Sequence, residues 1–178
     1  MQILAALQQA DLRLFSWLFR SGDRHLLIAP ARALSHSGDG YLHAAIPLLL
    51  LLMGSNLLGD FVQVLLLALA MERPLYWVLK NSLKRRRPHD LVPGLRSLII
   101  ASDQFSFPSG HSSGAFLLAT AASVVYGAAA AGLFVWACAV ALSRVLLGVH
   151  FPGDLIAGAV MGSTLALLAA QLMGISSL

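Results

Sequence analysis

Apolar residues recur along this chain in long, weakly interrupted runs rather than in the mixed patterns of a soluble domain. Four runs, residues 57–79, 110–127, 130–148 and 154–174, approach the roughly 20 apolar residues a helix needs to cross a bilayer core. A fifth, residues 41–55 (YLHAAIPLLLLLMGS), is shorter, and extends backward or sits in a thin region. Residues 1–20 differ, because Leu12, Leu14, Phe15, Trp17, Leu18 and Phe19 are interleaved with Gln8, Gln9, Asp11, Arg13 and Arg20. That spacing predicts an amphipathic helix lying in the membrane interface, with Trp and Phe as anchors. Residues 24–38 read as helical, interrupted around Pro30 and ended by Ser37-Gly38-Asp39-Gly40. No basic stretch precedes a cleavable apolar core at the N-terminus, so no signal peptide is expected.

These elements predict an all-α fold. It is a polytopic membrane bundle of five to six transmembrane helices plus the N-terminal amphipathic helix. One domain is expected over 1–178, with 1–40 as an interfacial region, 41–178 as the transmembrane core, and no internal repeat.

Composition agrees: hydrophobic residues make up 58% of the 178 residues and charged residues 11%, with a mean hydropathy of +0.78. Soluble domains carry about a quarter charged residues, so this chain lies outside that class. Disorder, coiled coil, collagen and a disulfide scaffold are excluded as well. The single Cys138 permits no disulfide within the chain. The net charge of +4 comes from few basic residues, without the basic, aromatic-interleaved strand or zinc pattern of a nucleic-acid binder. Nucleic acid is therefore not an expected partner; the lipid bilayer and a phosphorylated substrate are.

Span parity puts residues 80–109 and 149–153 on one membrane face, and those loops hold nearly all the conspicuous polar residues. Three stretches stand out there: Lys80-Asn-Ser-Leu-Lys84-Arg85-Arg86-Arg87-Pro88, Ser106-Phe107-Pro108-Ser109-Gly110-His111, and Ser143-Arg144 through Gly148-Val-His150-Phe-Pro152-Gly-Asp154. Lys80, Arg87 and Arg144 offer positive charge to phosphate oxygens, the arginines as planar two-pronged donors. Ser109 and Gly110 stand where a helix begins, and free N–H groups there favour an anion. Pro152 suits a first helical turn, which puts Asp154 within reach of a ring nitrogen of His150. That is the base–orienter arrangement of nucleophilic catalysis. Basic residues at a span end usually mark only its flank, and a lone histidine is more often structural. Several ionisable groups converging at membrane depth are instead costly enough to mark function.

The spacing Lys-x6-Arg-Pro, then Pro-Ser-Gly-His, then Ser-Arg-x5-His-x3-Asp resembles the three-part signature of the type 2 phosphatidic acid phosphatase superfamily. It runs from Lys80 to Asp154 and leaves residues 1–56 uncovered. The resemblance implies a helical bundle and metal-independent removal of phosphate from a lipid phosphate or diphosphate. On that basis His150 attacks phosphorus and forms a phosphohistidine, Asp154 orients it, and His111 protonates the leaving oxygen and then helps activate water. Lys80, Arg87, Arg144, Ser109 and Gly110 hold the equatorial oxygens. Undecaprenyl diphosphate is the first substrate choice, followed by phosphatidylglycerophosphate and phosphatidic acid.

No cofactor and no metal are expected, since His25, His36, His43 and His89 lack metal-ligand spacing. Oligomeric state is open between monomer and homodimer. Arg85 and Arg86 fall outside the signature and serve a second phosphate or face headgroups. Glu72 and Arg73, adjacent in mid-span, point different ways on a helix, so a direct pair is not required. Gly158-x3-Gly162 allows close helix approach, inside the chain before dimerisation.

Three alternatives share these residues. Gly110-His-Ser112-Ser-Gly114 matches a serine-hydrolase elbow, but that motif needs a preceding strand. A vanadium haloperoxidase shares the signature but is typically soluble and larger. A non-catalytic lipid-binding protein would not need every signature residue. Eleven of the twelve Lys and Arg fall on or near the motif face if residues 1–40 lie there too, which the positive-inside rule makes cytoplasmic. The family resemblance implies the opposite: a multi-pass protein of a bacterial inner membrane with its site on the outer, periplasmic face.

Overall fold

A computed structural model describes residues 2–20, 24–101 and 103–175. The order is α1 (Gln2–Arg20), α2 (Arg24–Ser37), α3 (Tyr41–Leu52), α4 (Leu58–Leu83), the short α5 (Pro88–Leu91), α6 (Gly110–Tyr126), α7 (Gly132–Leu146) and α8 (Pro152–Leu172). Among the described residues there is no strand. The all-α membrane bundle is the fold.

Three segments are long and apolar enough to cross a bilayer: α4 with its continuation to Leu91, α6 with the 3-10 turn Gly127–Ala130, and α8. The expected spans over 41–55 and 130–148 are shorter helices. The 12 residues of α3 and 15 of α7 reach only about 18 and 22 Å at 1.5 Å per residue, against a core of about 30 Å. Pro30 does not interrupt α2, which runs unbroken through it. One missing backbone hydrogen bond is outweighed there by the packing of α2 on α7.

The most intimate pair is α6 against α8. A Cβ added at Gly158 would stand 2.5 Å from the Ser109 carbonyl oxygen, and one at Gly162 would overlap the Ser113 carbonyl. The Gly158–Gly162 ridge is thus used inside the chain, letting two backbones touch. Deeper in, Phe61, Val64 and Leu65 of α4 join Leu117, Leu118, Ala121 and Ala166 in the main core.

The amphipathic α1 has two apolar faces with different partners. Trp17 and Leu14 are exposed, as membrane anchors should be, whereas Phe15 and Phe19 are buried. Phe15 stacks on Phe19 at 5.1 Å between centroids and meets Phe151 edge-on at 5.5 Å. The helix is docked on the start of α8, a role the expectation of Phe anchors in lipid did not include.

Candidate active site

The C-terminal end of α4, the N-termini of α6 and α8 and the C-terminal end of α7 meet at one end of the bundle. Lys80 lies one helical turn beyond Tyr76 on α4, so both face the same way. Lys80 Nζ donates to Asp103 Oδ2 at 2.8 Å and to Tyr76 Oη at 2.6 Å, and Tyr76 Oη donates to Asp103 Oδ2 at 2.7 Å. Arg87, buried ahead of α5, donates Nη1 to the Val149 carbonyl at 2.5 Å, Nε to the Asp103 carbonyl at 3.2 Å and Nη2 to Asp103 Oδ1. Both cations of the first motif therefore hold one carboxylate. Burial works against charge on Asp103, but the hydrogen bonds from Lys80 and Tyr76, with the nearby charges of Lys80 and Arg87, outweigh it and set its pKa at about 2.

Arg144, in the last turn of α7, donates Nη1 to Ser35 Oγ on α2, while its buried Nε has no protein partner. His111, in the first turn of α6, shares a hydrogen bond between Nε2 and Asp39 Oδ1 at 2.7 Å. The other Asp39 oxygen meets His36 Nδ1 at 2.7 Å. Burial opposes ionisation of Asp39, yet the bonds from His111 and then His36 hold its pKa below the ordinary carboxylate value.

His150 follows a left-handed turn at Gly148, φ 77°, where a Cβ would also lie 3.0 Å from the Phe19 ring. The imidazole is buried, and burial is the main reason its pKa falls to about 4, with Arg87 and Arg144 pushing the same way against Asp154. Asp154 is fully buried in the first turn of α8. Its Oδ2 accepts the Phe151 N–H at 2.8 Å, and its Oδ1 accepts Arg85 Nη1 at 2.7 Å. His150 Nδ1 stands 3.5 Å from Asp154 Oδ2, longer than a good hydrogen bond, and has no other partner.

A cavity of about 440 Å³ joins these groups; Arg73, Tyr76, Arg87, Asp103, Gly110, His111, Arg144 and His150 are on its wall. Of the expected site residues, His150, His111, Arg87, Gly110 and Arg144 line it. Asp154 lies behind His150, and Lys80 behind Asp103. Ser109 is fully buried: its N–H is donated to the Asp154 carbonyl at 3.0 Å, and its Oγ caps α6 by accepting the Ser112 N–H at 3.4 Å. It ties α6 to α8 and does not face the cavity.

Other residues lie elsewhere than their sequence suggested. Arg85 faces neither a second phosphate nor headgroups but Asp154 and Asp11, and Arg86 is exposed. Glu72 and Arg73 do pair directly, and the fully buried Glu72 also accepts Ser113 Oγ at 2.6 Å. Asp39, Tyr76 and Asp103 were not singled out from the sequence. Asp39 read there as a helix-ending turn, and Asp103 sits in a loop without periodicity. Among the described residues, no group of three or more His, Cys, Asp or Glu is arranged to hold a metal ion.

A pair of histidines facing clustered cations, at the end of a membrane-spanning bundle, defines a membrane phosphate-ester hydrolase. Residues 48–176 match the model of the PAP2 superfamily, and the chain belongs to that family. A decaprenylphosphoryl-5-phosphoribose phosphatase of Mycobacterium tuberculosis is 34% identical over 148 residues, 80% of this chain and 78% of the relative. A lipid A 4'-phosphatase of Bacteroides thetaiotaomicron is 38% identical over 60 residues, 33% of this chain and 27% of the relative. The crystal structure of LpxE from Aquifex aeolicus is similar at a TM-score of 0.78 and 27% identity, covering 90% of this chain and 94% of that one. The PAP2-type phosphatidylglycerolphosphate phosphatase of Bacillus subtilis shares the fold at a TM-score of 0.75 and 24% identity, covering 95% and 87%. The protein is a PAP2-family lipid phosphatase, which supersedes the esterase and non-catalytic alternatives. Ser112 itself is fully buried and donates Oγ to the Leu155 carbonyl at 2.7 Å.

Proposed function

We propose that this phosphatase works through a phosphohistidine on His150 and acts on a polyprenyl-linked phosphate, with hydrolysis of undecaprenyl diphosphate to undecaprenyl phosphate as the first candidate. The observation that carries the chemistry is His150 itself: buried, uncharged at neutral pH, backed by Asp154 and opening on a cavity lined by Arg87, Arg144 and His111. With Nδ1 towards Asp154, the Nε2 lone pair attacks phosphorus as the bond to the leaving oxygen breaks, and His111 gives that oxygen a proton. Water then attacks phosphorus, the P–N bond breaks, and His111 takes the proton back. Arg87, Arg144 and the free N–H groups at the start of α6 stabilise the charge that spreads over the equatorial oxygens. Lys80 joins them once Asp103 yields to phosphate.

Two observations support the substrate class. The mycobacterial relative is named for a polyprenyl-phosphoryl compound. Arg73 lies two turns from Lys80 on α4, about 10 Å along the axis, and lines the same cavity with its side chain 55% exposed. An arginine at membrane depth costs about 2.5–3.5 kcal/mol. Glu72 offsets part of that, and a second anionic group on the substrate offsets more. Phosphatidylglycerophosphate also carries two phosphates and is the second reading; phosphatidic acid carries one. Detergent-purified protein in excess chelator is expected to release phosphate from undecaprenyl diphosphate with a higher kcat/KM than from phosphatidic acid. A preference for phosphatidic acid, or activity lost to chelator and restored by Mg²⁺, would contradict the proposal.

Acid dependence follows from the His150 environment. A lowered pKa keeps the attacking form present until the pH approaches 4, and protonation below that removes the lone pair. The acid limb of kcat/KM is expected to inflect near 4 for His150. An acid limb inflecting near the ordinary histidine value of 6.5 would assign His150 an exposed environment instead.

For orientation we favour the outer face of a bacterial inner membrane, since phosphate binding accounts for Lys80, Arg87 and Arg144 without the positive-inside rule. Asp90 is partly exposed on that face, and Cys138 is exposed as well. An Asp90→Cys variant on a Cys138→Ser background is expected to react with an impermeant thiol reagent in intact cells. Protection there, with labelling after lysis, would reverse the orientation.

A further inference from the structure

We propose that Arg85 and Asp11 are positioning residues for the nucleophile, and that helix α1 thereby belongs to the catalytic machinery. This rests on the phosphohistidine reading above. Arg85 is not a signature residue, yet it connects the two ends of the chain. Its Nη1 donates to Asp154 Oδ1 at 2.7 Å, and its Nη2 donates to Asp11 Oδ2 at 2.6 Å. The second oxygen of Asp11, Oδ1, accepts the Gly153 N–H at 2.8 Å at the start of α8. One carboxylate on α1 therefore clamps both the guanidinium that holds Asp154 and the helix turn that carries Asp154.

Packing fixes the same geometry. The Arg85 guanidinium lies 4.4 Å from the centroid of the Phe151 ring, and Phe15 of α1 meets that ring edge-on. A Cβ at Gly153 would come within 2.8 Å of Asp11 Oδ2, so a side chain there would displace that carboxylate. The Arg85 and Asp11 side chains are 23% and 12% exposed and Asp154 is fully buried, so this is not a screened surface pair.

The arrangement matters because Asp154 has two tasks for two oxygens. Oδ2 is shared between the Phe151 N–H and the His150 side, and Oδ1 is held from the other side by Arg85. A buried carboxylate without a cation is strongly disfavoured, and Arg85 is the cation within hydrogen-bond distance of it. With Arg85 in place, Oδ2 stays beside Nδ1 of His150 and keeps Nε2 directed at the cavity. Asp11 in turn keeps Arg85 from swinging out to headgroups, as a flexible cation at a membrane surface otherwise would.

The test uses full-length protein in detergent, the lipid phosphate that wild type turns over best, and rapid quenching to follow phosphohistidine formation. Arg85→Ala is expected to slow phosphohistidine formation and kcat about 100-fold while KM changes less than about threefold, because the substrate contacts lie elsewhere. Added guanidinium is expected to restore part of the rate. Arg85→Lys preserves a cation beside Asp154 but cannot also reach Asp11, so it is expected to fold normally and keep roughly a tenth of the rate. Asp11→Asn keeps an oxygen for the Gly153 N–H and loses only the acceptor for Arg85, so it is expected to lose about tenfold alone and little more in the Arg85→Ala background. Wild-type kcat in Arg85→Ala, losses that multiply in the double variant, or losses matched by unfolding and untouched by guanidinium would overturn the inference. Absence of turnover and phosphoenzyme in wild type would instead overturn the phosphatase mechanism, and this inference with it.

Discussion

His150→Ala is expected to reduce phosphate release by at least about 10⁴-fold, with no phosphoenzyme formed. The size follows from the absence of a substitute. Ser112 is sealed against the Leu155 carbonyl, and His111 is bonded to Asp39 and assigned to proton transfer in the proposed mechanism. His43 directs Nε2 at the Gly114 carbonyl. Arg87, Arg144 and the α6 N-terminus survive the substitution, so lipid binding is expected to stay within a few-fold of wild type. Phosphate release by His150→Ala at a tenth of the wild-type rate would require a different nucleophile. Ser112→Ala, by contrast, is expected to turn over normally provided it folds.

Asp154→Asn is expected to lower kcat about 10³–10⁴-fold with the bundle still assembled. Each Asp154 oxygen accepts from a donor, Arg85 on one side and the Phe151 N–H on the other. An amide presents two N–H groups in place of one oxygen, so one contact becomes donor against donor. At a fully buried position that costs about 1–3 kcal/mol of stability. The larger effect is on the imidazole, which loses the acceptor that fixes its tautomer. Thermal unfolding read beside kcat separates the two, and a rate that falls only in proportion to the folded fraction would deny Asp154 an orienting part.

Much of this site was legible because charge is conspicuous in an apolar chain. Lys80, Arg87, His111, Arg144, His150 and Asp154 could be gathered on one face by span parity alone, since a hydrocarbon environment admits ionisable groups only at a cost. What was not legible depended on distant partners. Asp103 meets Lys80 and Arg87 across 23 and 16 residues of sequence, and Arg85 meets Asp154 and Asp11 across 69 and 74. No periodicity encodes such pairings. Apolar positions on α1 likewise show which residues avoid water, but not that Trp17 goes outward while Phe15 and Phe19 go to protein. The helices within 41–55 and 130–148 are shorter than their apolar runs because hydropathy continues through turns, as at Met53-Gly54 and Gly127–Ala130, where the helix itself stops.

The central claim is a covalent phosphate on His150. Wild-type protein, quenched during turnover of lipid carrying a radiolabelled terminal phosphate, is expected to retain label that is stable to alkali, labile to acid and mapped to the peptide containing His150. Label on another residue, or steady turnover with no label trapped at the shortest quench times, would contradict the account.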